Sequence, residues 1–177
     1  MSFTDSTYYI NDINLTIGTY SDIQQSIDKY EKEVLIGLLG YTLYTEMMVA
    51  YADSIDTVPV ALPQKWDRLI NGYIYDYNGT TIRWNGLKNT DKVSFLSYYV
   101  YCQYLKANQF PQAQAGTVQP KNENSVVVDG IANHTAAWNR FVAEYYNCWQ
   151  FLFQYETDYV DFFRYTKRYE FTNSFGI

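Results

Sequence analysis

Catalysis by side chains needs convergent groups with tuned proton affinities, and this chain holds few residues of the types that supply them. There is one histidine, His134, and there are two cysteines, Cys102 and Cys148. A Cys–His pair can make a thiolate nucleophile. Here, however, both cysteines fall inside helices by periodicity, where a small buried thiol is the ordinary outcome in a reducing compartment. His134 stands beside Thr135 at a predicted helix start, a place for contacts of the first helical turn. Ser26-Ile27-Asp28-Lys29 matches the S-x-x-K spacing of a lysine-activated serine, but its companion motifs are missing and it lies mid-helix on the polar face. No G-x-S-x-G elbow, phosphate-binding glycine loop, dinucleotide fingerprint or metal-ligand spacing occurs. The carboxylates are scattered, and Asp28 with Lys32 is an ordinary i,i+4 surface pair. The residues that could do chemistry point away from an enzyme, and neither cofactor nor metal is expected.

What the chain has in excess is aromatic surface. It carries 34 aromatic residues, 20 of them tyrosine, against 35 of Leu, Ile and Val together. Tyrosine has an apolar body and a polar tip, which suits surfaces that are wet when free and buried when bound. Two uses follow. Exposed rings could stack on glycans or on single-stranded nucleic acid, with Arg164, Lys167 and Arg168 between them. Alternatively the rings are core and subunit contacts, the reading favoured by their helical spacing and by a net charge of -6. That acidity argues against wrapping duplex DNA, which requires many Lys and Arg contacts. At 177 residues the chain can bury roughly 70% of its unfolded surface without staples. No run approaches the 18 or more apolar residues of a membrane span, and Met1 to Tyr9 lacks the pattern of a secretory leader, so a soluble, cytoplasmically made domain with no membrane partner is expected.

The elements that must position these residues can be sketched from periodicity. Residues 1–19 have no helical period and read as an extended N-terminal arm. Ser21 and Gln24 form a capping-box pattern, after which Ile23, Ile27, Tyr30, Val34 and Leu38 share one face of a helix that ends at Gly40. A short helix over 41–52 follows, with Leu43, Met47 and Ala50 inward. Pro63 opens another, carrying Trp66, Leu69 and Ile70 until Gly72. Within 73–84, Asn78-Gly79 favours a type I′ turn, so a hairpin pairs Tyr77 with Thr80, Tyr75 with Ile82 and Tyr73 with Trp84. A lone ribbon is marginal in water, so its aromatic side must lie on a helix or on another chain.

A helix of about twenty residues, capped near Asn89 or Thr90, has Val93, Leu96, Val100 and Ala107 on one side and Tyr98, Tyr101 and Leu105 on the other. Such a helix is sandwiched between two layers, the second supplied by the hairpin or by a neighbouring subunit. Residues 111–130 are too long for an ordinary connector, and Val126, Val127 and Val128 could add a strand to a partner edge. A core helix over 134–156 follows, with Trp138, Phe141, Val142, Tyr145, Tyr146, Trp149, Leu152 and Phe153 in one arc. Residues 157–177 form an aromatic and basic tail. The fold expected is mainly α, a small bundle of about four helices with one β-hairpin and long extended arms and loops.

Glu33-Val34-Leu35-Ile36-Gly37-Leu38-Leu39-Gly40-Tyr41-Thr42-Leu43-Tyr44, Trp66 to Gly72, Trp84-Asn85-Gly86-Leu87-Lys88 opening a Tyr-rich helix, and Ala137-Trp138-Asn139 in the last helix form a recognisable order. Over residues 20–156 the chain resembles the head–tail connector, or adaptor, proteins of tailed bacteriophages, especially those of crAss-like and related phages of Bacteroidetes. The resemblance implies a structural virion protein at the neck or portal vertex, forming a homo-oligomeric ring of roughly twelve copies. Such a ring would sit beneath the portal protein, bind other connector or tail proteins, and extend a channel through which DNA passes without sequence-specific binding. The candidate subunit contacts are Tyr73, Tyr75 and Trp84 of the hairpin, Tyr98, Tyr101 and Leu105 of the following helix, and Val126, Val127 and Val128 of the loop. In the tail they are Phe162, Phe163, Arg164, Tyr165, Arg168 and Tyr169. The 111–130 loop and the tail are expected to order only on assembly.

Overall fold

The computed structural model describes residues 1–14, 20–109, 112–113, 116–117, 130–160 and 162–172. Its first helix, α1 (Tyr20–Ser54), is the spine of the molecule. Ile23, Ile27, Val34 and Leu38 recur at helical spacing and are fully buried. At Gly40 the backbone leaves the helix (φ 77°, ψ 163°), so α1 is two helices joined at a kink, as the expected stop at Gly40 and restart at 41 require. One expectation needs correction. Between Glu33 and Asp53 the only charge is Glu46, and Ile23–Ser54 contains a window long and apolar enough by composition to cross a membrane, with mean hydropathy 1.3. The excess apolarity has a use inside the fold, where Val34, Leu35, Leu38, Leu39 and Met47 are core residues.

The second helix, α2 (Gln64–Asn71), begins after Pro63 and buries Trp66, Leu69 and Ile70 before Gly72 turns the chain at φ 92°. Strands β1 (Tyr73–Tyr77) and β2 (Thr80–Trp84) then pair in the register that the Asn-Gly turn dictates, with Tyr73 opposite Trp84, Tyr75 opposite Ile82 and Tyr77 opposite Thr80. Asn78 and Gly79 both have positive φ, and the Asp76 carboxylate accepts the Gly79 N–H at 2.9 Å. On leaving β2 the chain passes back over the end of α2. A Cβ on Gly86 would lie 2.6 Å from both the Gly72 nitrogen and the Ile70 carbonyl, so only glycine permits the crossing.

Helix α3 (Phe95–Gln109) starts later than Asn89 or Thr90. The Asn89 side chain bonds both N–H and C=O of Val93, holding a loop in which Lys92 has φ 57°. The cap is Ser94, whose hydroxyl accepts the Leu96 N–H. Every residue from Ser94 to Cys102 is buried, because α3 packs against α1 on one side and against α4 (Gly130–Gln154) on the other. Between these helices a two-residue antiparallel pair, β3 (Gln112–Ala113) with β4 (Gly116–Thr117), occupies part of the expected long loop. Val126, Val127 and Val128 lie outside the described residues. The described residues thus form the expected mainly helical bundle with the β1–β2 hairpin.

Both ends of the chain depart from expectation. Within residues 1–14 the N-terminal arm is not extended throughout: Ser6–Tyr8 and Asn11–Ile13 are 3-10 turns, and Phe3, Tyr8, Tyr9 and Ile13 are core residues. Residues 157–160 and 162–172 of the tail pack on their own chain. Tyr159, Phe162 and Tyr169 are buried in the chain's own core, and a short helix, α5 (Phe162–Tyr165), lies on α1. Periodicity could not show this, because neither end is helical enough to display a face; each is held by single anchors rather than by a repeating stripe.

Candidate functional site

The proposed contact residues divide sharply by burial. Tyr75 and Trp84 are not available to a neighbour: both rings pack on Phe151 of α4, and the Trp84 indole donates to the Leu69 carbonyl at 2.9 Å. Tyr73 is partly exposed, edge-on to Tyr155 and covered by the Arg68 guanidinium. Tyr98 and Tyr101 are also buried, and burial raises both phenol pKa values above the usual range. Arg140 of α4 bonds to the Tyr98 hydroxyl, and the charges of Asp12 and Glu144 act on it. The second layer over α3 therefore comes from this chain rather than from a neighbouring subunit. Leu105 is half-buried. Phe162 is fully buried beside Trp149, and Tyr169 sits among Tyr99, Trp138, Phe141 and Tyr145 at centroid distances of 4.8–6.0 Å. Arg164 and Arg168 are exposed, while the side chains of Phe163 and Tyr165 lie outside the described residues.

The histidine and the two cysteines do not converge on a Cys–His pair. The Cys102 thiol meets the backbone carbonyl of His134 at 3.9 Å, not its ring, and burial pushes that thiol up to about 12. Cys148 is completely buried and its thiol is raised well above the ordinary value by the same cause. The His134 ring stacks on Trp138 with an interplanar angle of 7°, and burial lowers its pKa. Among the described residues, no three His, Cys, Asp or Glu side chains gather as a metal site.

Two interactions fasten the chain ends. Glu31, buried in α1, accepts the backbone N–H groups of Phe3 and Thr4, each at 2.9 Å, and the Thr4 hydroxyl. Burial raises this carboxyl to about 7 despite the bonds that favour its charged form. At the other end, residues 166–172 run as a strap in a groove between α1 and α4. The grip is almost wholly on main chain. Tyr145 Oη donates to the Lys167 carbonyl (2.7 Å), Tyr146 Oη to that of Tyr169 (3.0 Å) and Trp138 Nε1 to that of Glu170 (2.9 Å). Asn139 both donates to the Thr172 carbonyl and accepts its N–H, while Lys167 N–H reaches the Gly37 carbonyl at 2.7 Å.

With most of the proposed contact aromatics buried, other apolar residues are exposed among those described. Tyr41 and Val49 stand out from the second half of α1, and Ile55, Val58 and Val60 follow in the loop to α2, all between 56% and 81% exposed. The charged residues of this stretch before Lys65 are Glu46, Asp53 and Asp56, all acidic. Glu46 is paired with Lys65 at 2.5 Å. A second patch surrounds the strap. Trp149 stacks on exposed Phe153 (5.2 Å), and a groove of about 360 Å³ is lined by Tyr145, Tyr146, Trp149, Thr166, Lys167 and Arg168. Of these residues the sequence singled out Arg168 as a surface contact and missed Tyr41, Val49 and Val60. The signal was present as a side of the 41–52 helix, opposite Leu43 and Met47, that has no charge except Glu46.

Comparison with protein-family models, with curated proteins and with solved structures found no match.

Proposed function

We propose that this chain is a non-enzymatic structural protein of a virion, the subunit of a head-to-tail connector ring at the neck of a tailed phage. The observation that supports this reading is the exposure, among the described residues, of Tyr41, Val49, Ile55, Val58 and Val60 along the second half of α1 and the loop after it, on a chain whose core is built from its own aromatics. Apolar side chains left exposed in such number along one stretch of a well-packed domain suit association. In this role the homo-oligomeric ring docks on the portal protein above and on other connector or tail proteins below. The net charge of -6 suits a channel through which DNA slides without sequence-specific binding. Negative-stain imaging and mass photometry of the purified full-length chain test the proposal, together with its localisation in particles. Closed rings in solution and label at the portal vertex are expected; a chain that stays monomeric at high concentration and is absent from particles would overturn it.

A second reading is favoured by the basic aromatic groove, where Tyr146, Trp149, Lys167 and Arg168 could stack on a glycan or on bases of single-stranded DNA. Titration with labelled oligonucleotide and with glycan arrays at low salt separates the two. Saturable micromolar binding by a monomer supports the module, and no binding removes it.

A further inference from the structure

Resting on the ring reading, we infer that copies of this chain join head to tail, the acidic apolar loop 53–60 of one copy seating in the basic aromatic groove beside the strap of the next. The two surfaces are complementary in charge. The loop presents Asp53 and Asp56 with Ile55, Val58 and Val60, and contains no cation. The charged residues lining the groove are Lys167 and Arg168, and its floor is Tyr145, Tyr146 and Trp149. Loop against loop would oppose acid to acid, and groove against groove would oppose base to base, each at a cost of several kcal/mol. The charges thus select a heterologous contact, the kind that closes into a ring when the rotation permits, over a two-fold dimer.

The two surfaces share no lining residue, so one copy can offer both at once. Lys167 is bonded to Gly37, whereas Asp53 lies 16 residues further along α1, beyond the kink at Gly40. The loop is shaped before it binds. Val60 N–H donates to the Asp53 carbonyl at 3.1 Å, closing it, and Asp56 accepts from the Thr57 N–H at 2.7 Å. A preformed loop loses little conformational entropy on docking. Its aliphatic side chains suit the aromatic rings that line the groove of about 360 Å³.

Reversing the charges tests the contact. Lys167→Glu with Arg168→Glu, and separately Asp53→Lys with Asp56→Lys, are made in the full-length chain, and assembly is followed by sedimentation velocity with circular dichroism as the folding check. Each pair is expected to raise the concentration for half-assembly about tenfold or more, and all four substitutions together to restore it. Wild-type assembly is also expected to weaken as salt is raised. If the wild type forms rings and both reversed pairs assemble equally well, this interface is wrong while the ring reading stands. If the wild type never assembles, both fail. Restoration in the fourfold variant is the outcome that unrelated surface damage does not produce.

Discussion

Glu31 is the residue whose chemistry bears most on stability. In the folded chain its carboxyl titrates at about 7, above the ordinary 4.5, because burial outweighs the bonds from Phe3 and Thr4, with Asp28 on the same helix adding to the rise. Tyr9 on the N-terminal segment and Tyr44 on α1 face it, and both phenols are themselves raised by burial with Glu31 contributing. A raised carboxyl binds its proton more tightly folded than unfolded. Its contribution is therefore greatest below pH 4.5, declines by about 3 kcal/mol as pH rises to 7, and is flat above. His134, with a lowered pKa, acts oppositely just below its ordinary 6.5, where the unfolded chain takes up the proton. The difference between wild type and Glu31→Gln isolates the first effect. Urea midpoints measured from pH 4.5 to 8 should diverge with a slope that the variant lacks; a constant difference would count against it. At the same scale, Trp84→Phe removes the bond to the Leu69 carbonyl while keeping a ring against Phe151, and should lower stability by about 1 kcal/mol in equilibrium unfolding.

At the scale of elements, the junction of α2 with the hairpin is the most constrained. Gly86→Ala places a methyl carbon 2.6 Å from the backbone of Gly72 at a positive φ, and a loss of about 2–4 kcal/mol is expected. Gly79→Ala, also at positive φ but with open space around it, should cost about 1 kcal/mol. Chemical denaturation of both distinguishes crowding from conformation. The hairpin was legible residue by residue because Asn-Gly dictates its turn and the turn dictates its register. The helices were legible through Ile23, Ile27, Val34 and Leu38, and through Trp66, Leu69 and Ile70, which recur at helical spacing. What was not legible depends on contacts distant in sequence. Nothing local marks Phe3 as a core residue until Glu31, 28 positions away, is seen to hold its N–H. Likewise Tyr98 and Tyr101 fall on the side of α3 away from Leu96, but that this side is buried by other parts of the same chain, α4 among them, is something no wheel can show. The candidate surface was missed for the converse reason, since Tyr41 and Val49 look like core residues until the core is seen to be complete without them.

For the whole molecule, the two chain ends are structural members, because Phe3, Tyr8, Tyr9 and Ile13 from one end and Tyr159, Phe162 and Tyr169 from the other enter a single hydrophobic core. Unfolding should be one cooperative transition. Deleting residues 1–14 should lower the midpoint by about 10 °C or more rather than produce a separate early phase, as differential scanning calorimetry would show. Hydrogen exchange on the unassembled chain should find the amides of Thr4, Lys167 and Thr172 protected, since Glu31, Gly37 and Asn139 hold them; rapid exchange at all three would mean that the ends dock only in an assembly.

The strap is gripped by its carbonyls and amides, with Tyr169 as its one deeply buried ring. Main-chain recognition is indifferent to side-chain identity, so substitutions at the exposed Arg168, Glu170 and Phe171 should leave the fold standing. What those positions present outward can therefore change without loosening the scaffold beneath.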